Sequence, residues 1–251
     1  MKTIDLNCDL GESFGMYKTG NDSEVIKNIT SANIACGFHA SDPSVMNTTV
    51  KLAVKEGVHI GAHPGFPDIQ GFGRRNMNMS CNEIKDMMIY QLGALDAFCK
   101  ANGTKLYHVK PHGALYNMAV KDSDIANAIV SAVLEYNPQL KLLAPFGSKM
   151  VLEAEKYGLK YACEVFADRA YEDDGSLVAR SKAGSMITDS DEAVKRVLKM
   201  ICENKVQTIS GKEIYIKADS VCVHGDGENA LVFTQKLCSA FRENNIEIKA
   251  F

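Results

Sequence analysis

Tryptophan is absent from the 251 residues, proline occurs only six times, and neither sign of charge dominates. The 28 Lys and Arg against 31 Asp and Glu leave a net charge of −3. Without a basic patch or stripe, a dedicated nucleic-acid binder is excluded. No window approaches roughly 18 consecutive apolar residues, which excludes a membrane-spanning helix. No CxxC pair occurs among the eight cysteines, and they lie scattered from Cys8 to Cys238. No Pro/Gly/Ser-rich linker, low-complexity tract or long charge run divides the chain, so residues 1–251 read as one domain. Several catalytic signatures are missing too. There is no GxxxxGK[ST] phosphate loop, no GxGxxG after the first strand, no GxSxG elbow and no HExxH.

What is present reads as an ordinary folded protein, 46% apolar and 24% charged. Most cysteines sit inside apolar runs, where a free thiol behaves as a small hydrophobe. Asp5 falls where the apolar region of a signal peptide would lie, so a reduced, cytoplasmic protein is expected.

Short β-branched runs alternate with longer runs of helical period. The pattern predicts strands at Thr3–Cys8, Ser31–Cys36, Val58–Ala62, Leu106–Lys110, Lys141–Ala144, Tyr161–Phe166, Ser220–Val223 and Ile246–Lys249. Helices are predicted at Pro43–Glu56, from Ser80 to Asn102, and at Ser123–Tyr136, Ser148–Tyr157, Asp189–Glu203 and Glu228–Asn244. Ser80 and Glu83 form a capping-box pattern, and Pro43 suits a first helical turn. Such alternation predicts a parallel sheet with helical crossovers, either open or closed. Seven or so βα units in this length suit a closed barrel, which typically takes about 250 residues. The polar stretch from Ala167 to Thr188 reads as a long functional loop, and Gln207–Lys217 as a small hairpin.

Side chains alternate between the two faces of a strand. Ile4, Leu6 and Cys8 therefore oppose Asp5, Asn7 and Asp9. Ala32 and Ile34 oppose Asn33 and, if the strand runs on, His39. Val58 and Ile60 oppose His59 and His63, and Tyr107 and Val109 oppose His108, Lys110 and His112. Cys163 and Val165 oppose Glu164, Phe166 and Asp168, while Val221 and Val223 oppose Cys222, His224 and Asp226. A strand buried in an ordinary parallel sheet is apolar on both faces. Here one face is apolar and the other carries all six histidines. Asp5, Asn33, His59 and His108, set deeper, are expected to be hydrogen-bonded core residues. Asp9, His39, His63, Lys110, His112, His224 and Asp226, at strand ends beside glycines, are expected to form a site. Asp9, His39, His63 and His224 are candidates for holding a divalent metal, although neutral histidines serve equally as acid, base or donor.

The strand-end motifs carry a resemblance. Asp5-Leu6-Asn7-Cys8-Asp9-Leu10-Gly11-Glu12, the run from Asn33 to Asp42, and Gly61-Ala62-His63-Pro64-Gly65-Phe66-Pro67-Asp68 are similar to the LamB/YcsF family. So are Gly71-Phe72-Gly73-Arg74-Arg75, the run from Val109 to Asn117, the run from Glu164 to Tyr171, Leu177-Val178-Ala179-Arg180, and Val223-His224-Gly225-Asp226. The resemblance implies a (β/α) barrel of about seven strands, related to glycoside hydrolases and deacetylases. It implies one component of an ATP-dependent enzyme that opens 5-oxo-L-proline to L-glutamate, working with partner subunits PxpB and PxpC. ATP, accompanied by Mg2+, is then the implied co-substrate, and homo-oligomerisation is left open.

Chemistry then suggests roles. Phosphorylating the amide oxygen of a lactam gives an imidate-like group that water can attack. Asp9 and Glu12, with His63 or His112, are candidates to activate water or move protons, and Asp226 to complete that network. Lys110 and Arg169 are candidates for a carboxylate or phosphate, with Asn7, His39, Asp168 and His224 as further substrate contacts. Two other classes stay open: a stand-alone metal-dependent deacetylase or amidohydrolase, and a non-catalytic ligand-binding subunit.

Overall fold

The structure, a computed structural model, describes residues 1–224 and 230–251. It opens with β1 (Lys2–Leu10), α1 (Asp22–Val25), β2 (Ser31–Ala35), α2 (Pro43–Glu56), β3 (His59–His63) and α3 (Cys81–Ala101). Next come β4 (His108–Val109), α4 (Gly113–Lys121), α5 (Ser123–Tyr136), β5 (Lys141–Pro145), α6 (Lys149–Tyr157) and β6 (Tyr161–Phe166). The chain continues through α7 (Ser190–Glu203), β7 (Lys205–Gln207), β8 (Glu213–Tyr215), β9 (Ser220–His224), α8 (Ala230–Glu243) and β10 (Ile246–Ile248).

Seven strands pair in parallel in the order β1-β2-β3-β4-β5-β6-β9, and β9 returns to β1, closing a barrel. The closing register puts Asn7 opposite Cys222 and Asp9 opposite His224. β10 adds to the first residues of β1, while β7 and β8 form the expected small antiparallel hairpin.

Local signals account for the helices. Asp42 caps α2 by accepting from Ser44 and Val45 amides at 2.8 and 3.0 Å, and Gly57 ends it in the left-handed region at φ 70°. Ser80 and Glu83 complete the capping box of α3. Asp122 and Asp189 cap α5 and α7 in the same way. The outward strand residues Ile4, Leu6, Cys8, Ile34, Ile60, Val109, Val165 and Val221 are buried in the apolar layer under the helices. All eight cysteines are free thiols, and six of them are buried.

Two barrel strands end earlier than their pattern predicts, and β10 likewise stops at Ile248 rather than Lys249. β2 stops at Ala35, where Gly37 turns at φ 91° and its amide bonds the Ala40 carbonyl at 2.9 Å. Regular β4 is only His108–Val109, because Pro111 has no amide to give the ladder. His39 and His112 consequently come from loops rather than strands. Helix α4 is not among the elements the pattern predicts; it starts directly after His112, at Gly113.

Candidate active site

The barrel interior is built in polar layers. At the bottom, Asp5 accepts from Thr30 and Ser31 hydroxyls at 2.7 and 2.6 Å and also from Ser220. Above it, the Asn7 amide donates to Ser220 Oγ at 2.7 Å, and Asn33 donates to Asn7 Oδ1 at 2.7 Å. His108 Nε2–H donates to Asn33 Oδ1 at 2.7 Å, and burial drives its pKa down to about 3, so the ring is neutral. Gly61 makes room for that ring: a Cβ there would lie 2.0 Å from His108 Nε2. Asp5, Asn33 and His108 are thus the hydrogen-bonded core residues expected of them. His59 is instead half-buried and stacks on Tyr107 at 3.9 Å, away from the site.

One layer higher the interior becomes charged. Lys110 Nζ donates to Asp9 Oδ1 at 2.8 Å and lies 2.9 Å from Glu164 Oε1 and 3.1 Å from Cys222 Sγ. Burial opposes its charge, but the Asp9 and Glu164 carboxylates outweigh that and hold the ammonium well above its ordinary pKa. Asp9 also accepts from Asn33 at 2.9 Å, and Tyr116 OH donates to the far oxygen of Glu164 at 2.8 Å. Tyr116 stands one helical turn past His112, which is how α4 delivers it to the barrel mouth.

At the top, three histidines converge. The rings of His39 and His112 stack at 3.6 Å, and His63 meets them edge-on at 5.4 and 4.8 Å. Glu12 Oε1 lies 3.4 Å from His39 Nε2 and 3.7 Å from His112 Nδ1. Asp9 Oδ2 lies 3.4 Å from His63 Nε2. Burial first, then the neighbouring imidazoles, push the pKa values of His39 and His112 well below the ordinary value.

Hydrogen bonds fix two of the tautomers. His63 Nδ1 meets the Lys110 carbonyl at 2.7 Å and His112 Nε2 meets the Phe72 carbonyl at 2.8 Å; a carbonyl only accepts, so both nitrogens carry hydrogen. The other two nitrogens, His63 Nε2 and His112 Nδ1, then face one another at 2.9 Å. Two lone pairs at that distance repel unless a proton or a metal cation lies between them. His39 Nδ1 is buried with no hydrogen-bond partner among the described residues. Ligand atoms of Glu12, His39, His63 and His112 all lie within 4.8 Å of one another, a donor set suited to a divalent transition ion. Phe72 turns its carbonyl to His112 from the left-handed region at φ 54°, a costly conformation for a bulky residue.

Beside this cluster Arg169, on the long loop after β6, is buried and donates from Nη2 to the Val178 carbonyl at 2.6 Å. The loop has no helix or regular strand, only isolated bridges from Arg169 to Met186 and from Tyr171 to Leu177. A small cavity at the barrel mouth is lined by Asp9, Glu12, His63, Lys110, His112 and Arg169, among others.

The expected site residues therefore gather closely. Asp9, Glu12, His39, His63, Lys110, His112 and Arg169 meet at one barrel end, and Asn7 lies buried one layer beneath. Asp168 is half-buried next to Arg169 and does not line this cavity. Asp226 and the side chain of His224 lie outside the described residues. Within the described residues the side chains that could together hold an ion are Glu12 and His112 with His39 and His63, whereas Asp9 is bonded to Lys110 and Asn33. Glu164 and Tyr116 were missed. Strand parity had already turned Glu164 inward, and Tyr116 becomes legible only once α4 is known.

The family model for the LamB/YcsF family matches residues 4–251. This chain belongs to that family. Among relatives of the LamB/YcsF chain, the 5-oxoprolinase A subunit of Clostridium beijerinckii is 64% identical over 99% of this chain and 97% of its own length. The protein of the same name from Staphylococcus aureus strain Newman is 55% identical over 98% and 99%. The crystal structure of a lactam utilization protein from Thermus thermophilus superposes with a TM-score of 0.94 at 44% identity, covering 99% of this chain and 100% of that one. A putative cellobiose-phosphate cleavage protein from Enterococcus faecalis shares the fold alone, with a TM-score of 0.61 at 14% identity over 98% and 96% of the two chains.

Proposed function

We propose that this chain is the A subunit of an ATP-dependent 5-oxoprolinase, acting in the cytoplasm with PxpB and PxpC. The observation that carries this reading is the 64% identity, over 99% of the chain, to a relative bearing that subunit's name. The site supports it, because a buried lysine, three carboxylates and three histidines suit the opening of a stable amide.

In this reading the γ-phosphoryl group of ATP, carried with Mg2+, moves to the lactam oxygen and ADP leaves. Water adds to the resulting imidate carbon, the carbon–nitrogen bond breaks, and the nitrogen takes a proton. The acyl phosphate formed is hydrolysed by a second water to glutamate and phosphate. Lys110, held charged between Asp9 and Glu164, stabilises negative charge developing on oxygen. Glu12 and the His63–His112 pair take protons from water and return one to the ring nitrogen.

The facing nitrogens of His63 and His112 also favour a resident divalent cation, held by Glu12, His39, His63 and His112. Such an ion would polarise a bound carbonyl or water. This cluster is the observation that favours the second reading, a stand-alone metal-dependent deacetylase or amidohydrolase.

Turnover decides between them. The chain alone is expected to show little ATP-dependent conversion of 5-oxo-L-proline, and co-purified PxpB and PxpC to restore it. Full activity without partners overturns the division of labour; a stoichiometric ion together with activity on N-acetyl sugars installs the second reading. His63→Ala is expected to abolish restored activity while the circular dichroism stays that of the wild type.

A further inference from the structure

Above the catalytic mouth lies a second cavity of about 300 Å³, under the loop that follows β6. Arg74, Arg169 and Arg180 line both it and the smaller cavity over Asp9 and Lys110. No Asp or Glu among the described residues lines the upper cavity, whereas Asp9 and Glu12 line the lower one. Phe166 and Leu177 give the two cavities a shared apolar wall.

Arg169 is 5% exposed, and its Nε–H is buried with no hydrogen-bond partner among the described residues. A buried donor left unmade costs free energy that a ligand oxygen would return. Burial and then the nearby Arg180 pull its pKa to about 10, with Asp168 working the other way, so the guanidinium stays charged at neutral pH. Among the described residues only one of its donors is spent, at the Val178 carbonyl. An arginine fork in a cation-lined, partly apolar cavity fits a planar carboxylate attached to a small hydrocarbon ring. Lys110 is less suited to that task, since Asp9 and Glu164 already flank it at 2.8 and 2.9 Å.

We infer that Arg169 anchors the substrate's carboxylate in the upper cavity, so that the site selects cyclic amides bearing an adjacent acid group. The inference rests on the lactam-opening reading and adds a division of the substrate between the two cavities. The ring lies along Phe166 and Leu177, the carboxylate reaches Arg169 with Arg180 and Arg74 around it, and the amide faces Lys110 and the histidines.

Two measurements test it. In the full chain, calorimetry compares 5-oxo-L-proline with 2-pyrrolidinone, the same ring without the acid, and with inorganic phosphate. The wild type is expected to bind 5-oxo-L-proline at least tenfold tighter than 2-pyrrolidinone, and Arg169→Gln to erase that difference. In the complex with PxpB and PxpC, Arg169→Gln is expected to raise KM for 5-oxo-L-proline at least tenfold while KM for ATP stays within twofold. Arg169→Lys recovers part of the loss. Arg180→Gln, at an exposed position, gives a smaller rise and keeps the test open if Arg169→Gln fails to fold. Equal binding of the two lactams, no binding of either, or an unchanged KM in both Gln variants overturns the inference. Phosphate binding that depends on Arg169, with both lactams bound alike, makes this a phosphoryl subsite and overturns it too. Carboxylate-selective binding without ATP-dependent turnover keeps the subsite and removes the oxoprolinase reading. Normal turnover with wild-type kinetics in Arg169→Gln does the reverse.

Discussion

The lower half of the barrel interior and its upper mouth are made from the same kind of residue, buried and polar, yet they differ in how fully those residues are satisfied. Below, Asp5, Asn7, Asn33, His108 and Ser220 bond one another in a network that leaves little over. Above, charges crowd together, two imidazole nitrogens face each other at 2.9 Å, and His39 Nδ1 and Arg169 Nε have no partner among the described residues. A satisfied network holds a barrel in shape. An unsatisfied one holds free energy in reserve for a ligand.

This contrast breaks most sharply at Lys110. Lys110→Met leaves Asp9 and Glu164 buried without their counter-ion, so a loss of about 3–5 kcal/mol is expected in urea unfolding, together with loss of activity. A variant as stable as the wild type would show that the charged layer is dispensable to the fold.

The lower network answers to acid. The folded pKa of His108, about 3, lies below the ordinary 6.5, so between those values the unfolded chain binds a proton that the folded one refuses. Stability from this group is whole above pH 6.5 and falls with acid by about 1.4 kcal/mol per unit, near 3 kcal/mol by pH 4.5. Denaturation midpoints across that window should fall less steeply in His108→Gln than in the wild type; identical slopes would remove His108 as the cause.

Two smaller effects sharpen the same boundary. Gly61→Ala drives a methyl into the His108 ring and is expected to cost about 1–3 kcal/mol by thermal or urea unfolding. His59→Ala, which loses only a half-buried stack on Tyr107, is expected to cost under about 1 kcal/mol and to leave turnover unchanged. A large loss of activity there would extend the site to the lower end.

Much of this was legible in the residues. Strand parity turned Asp9, His63 and Lys110 inward and the aliphatic residues outward, because alternation is imposed by the strand itself. Parity failed to explain His39 and His112, which reach the cluster through a turn at Gly37 and the start of α4. It also could not rank the carboxylates. Asp9 and Glu12 lie three residues apart, and only the fold assigns Asp9 to Lys110 and Glu12 to the histidines. Glu164 was visible as an inward residue without a role, since its partners Lys110 and Tyr116 stand 54 and 48 residues away.

By itself, then, the sequence determined the alternation of strands and helices, the one-sided polarity of each strand and the membership of a family, all of them local or cumulative properties of the chain. Tertiary structure decided which polar residues neutralise one another and which are left facing open space. That choice depends on closure of β9 onto β1 and on loops folding over the barrel mouth. Pairing energies are set by distances of about 3 Å between residues far apart in the chain, and no spacing along the sequence encodes them.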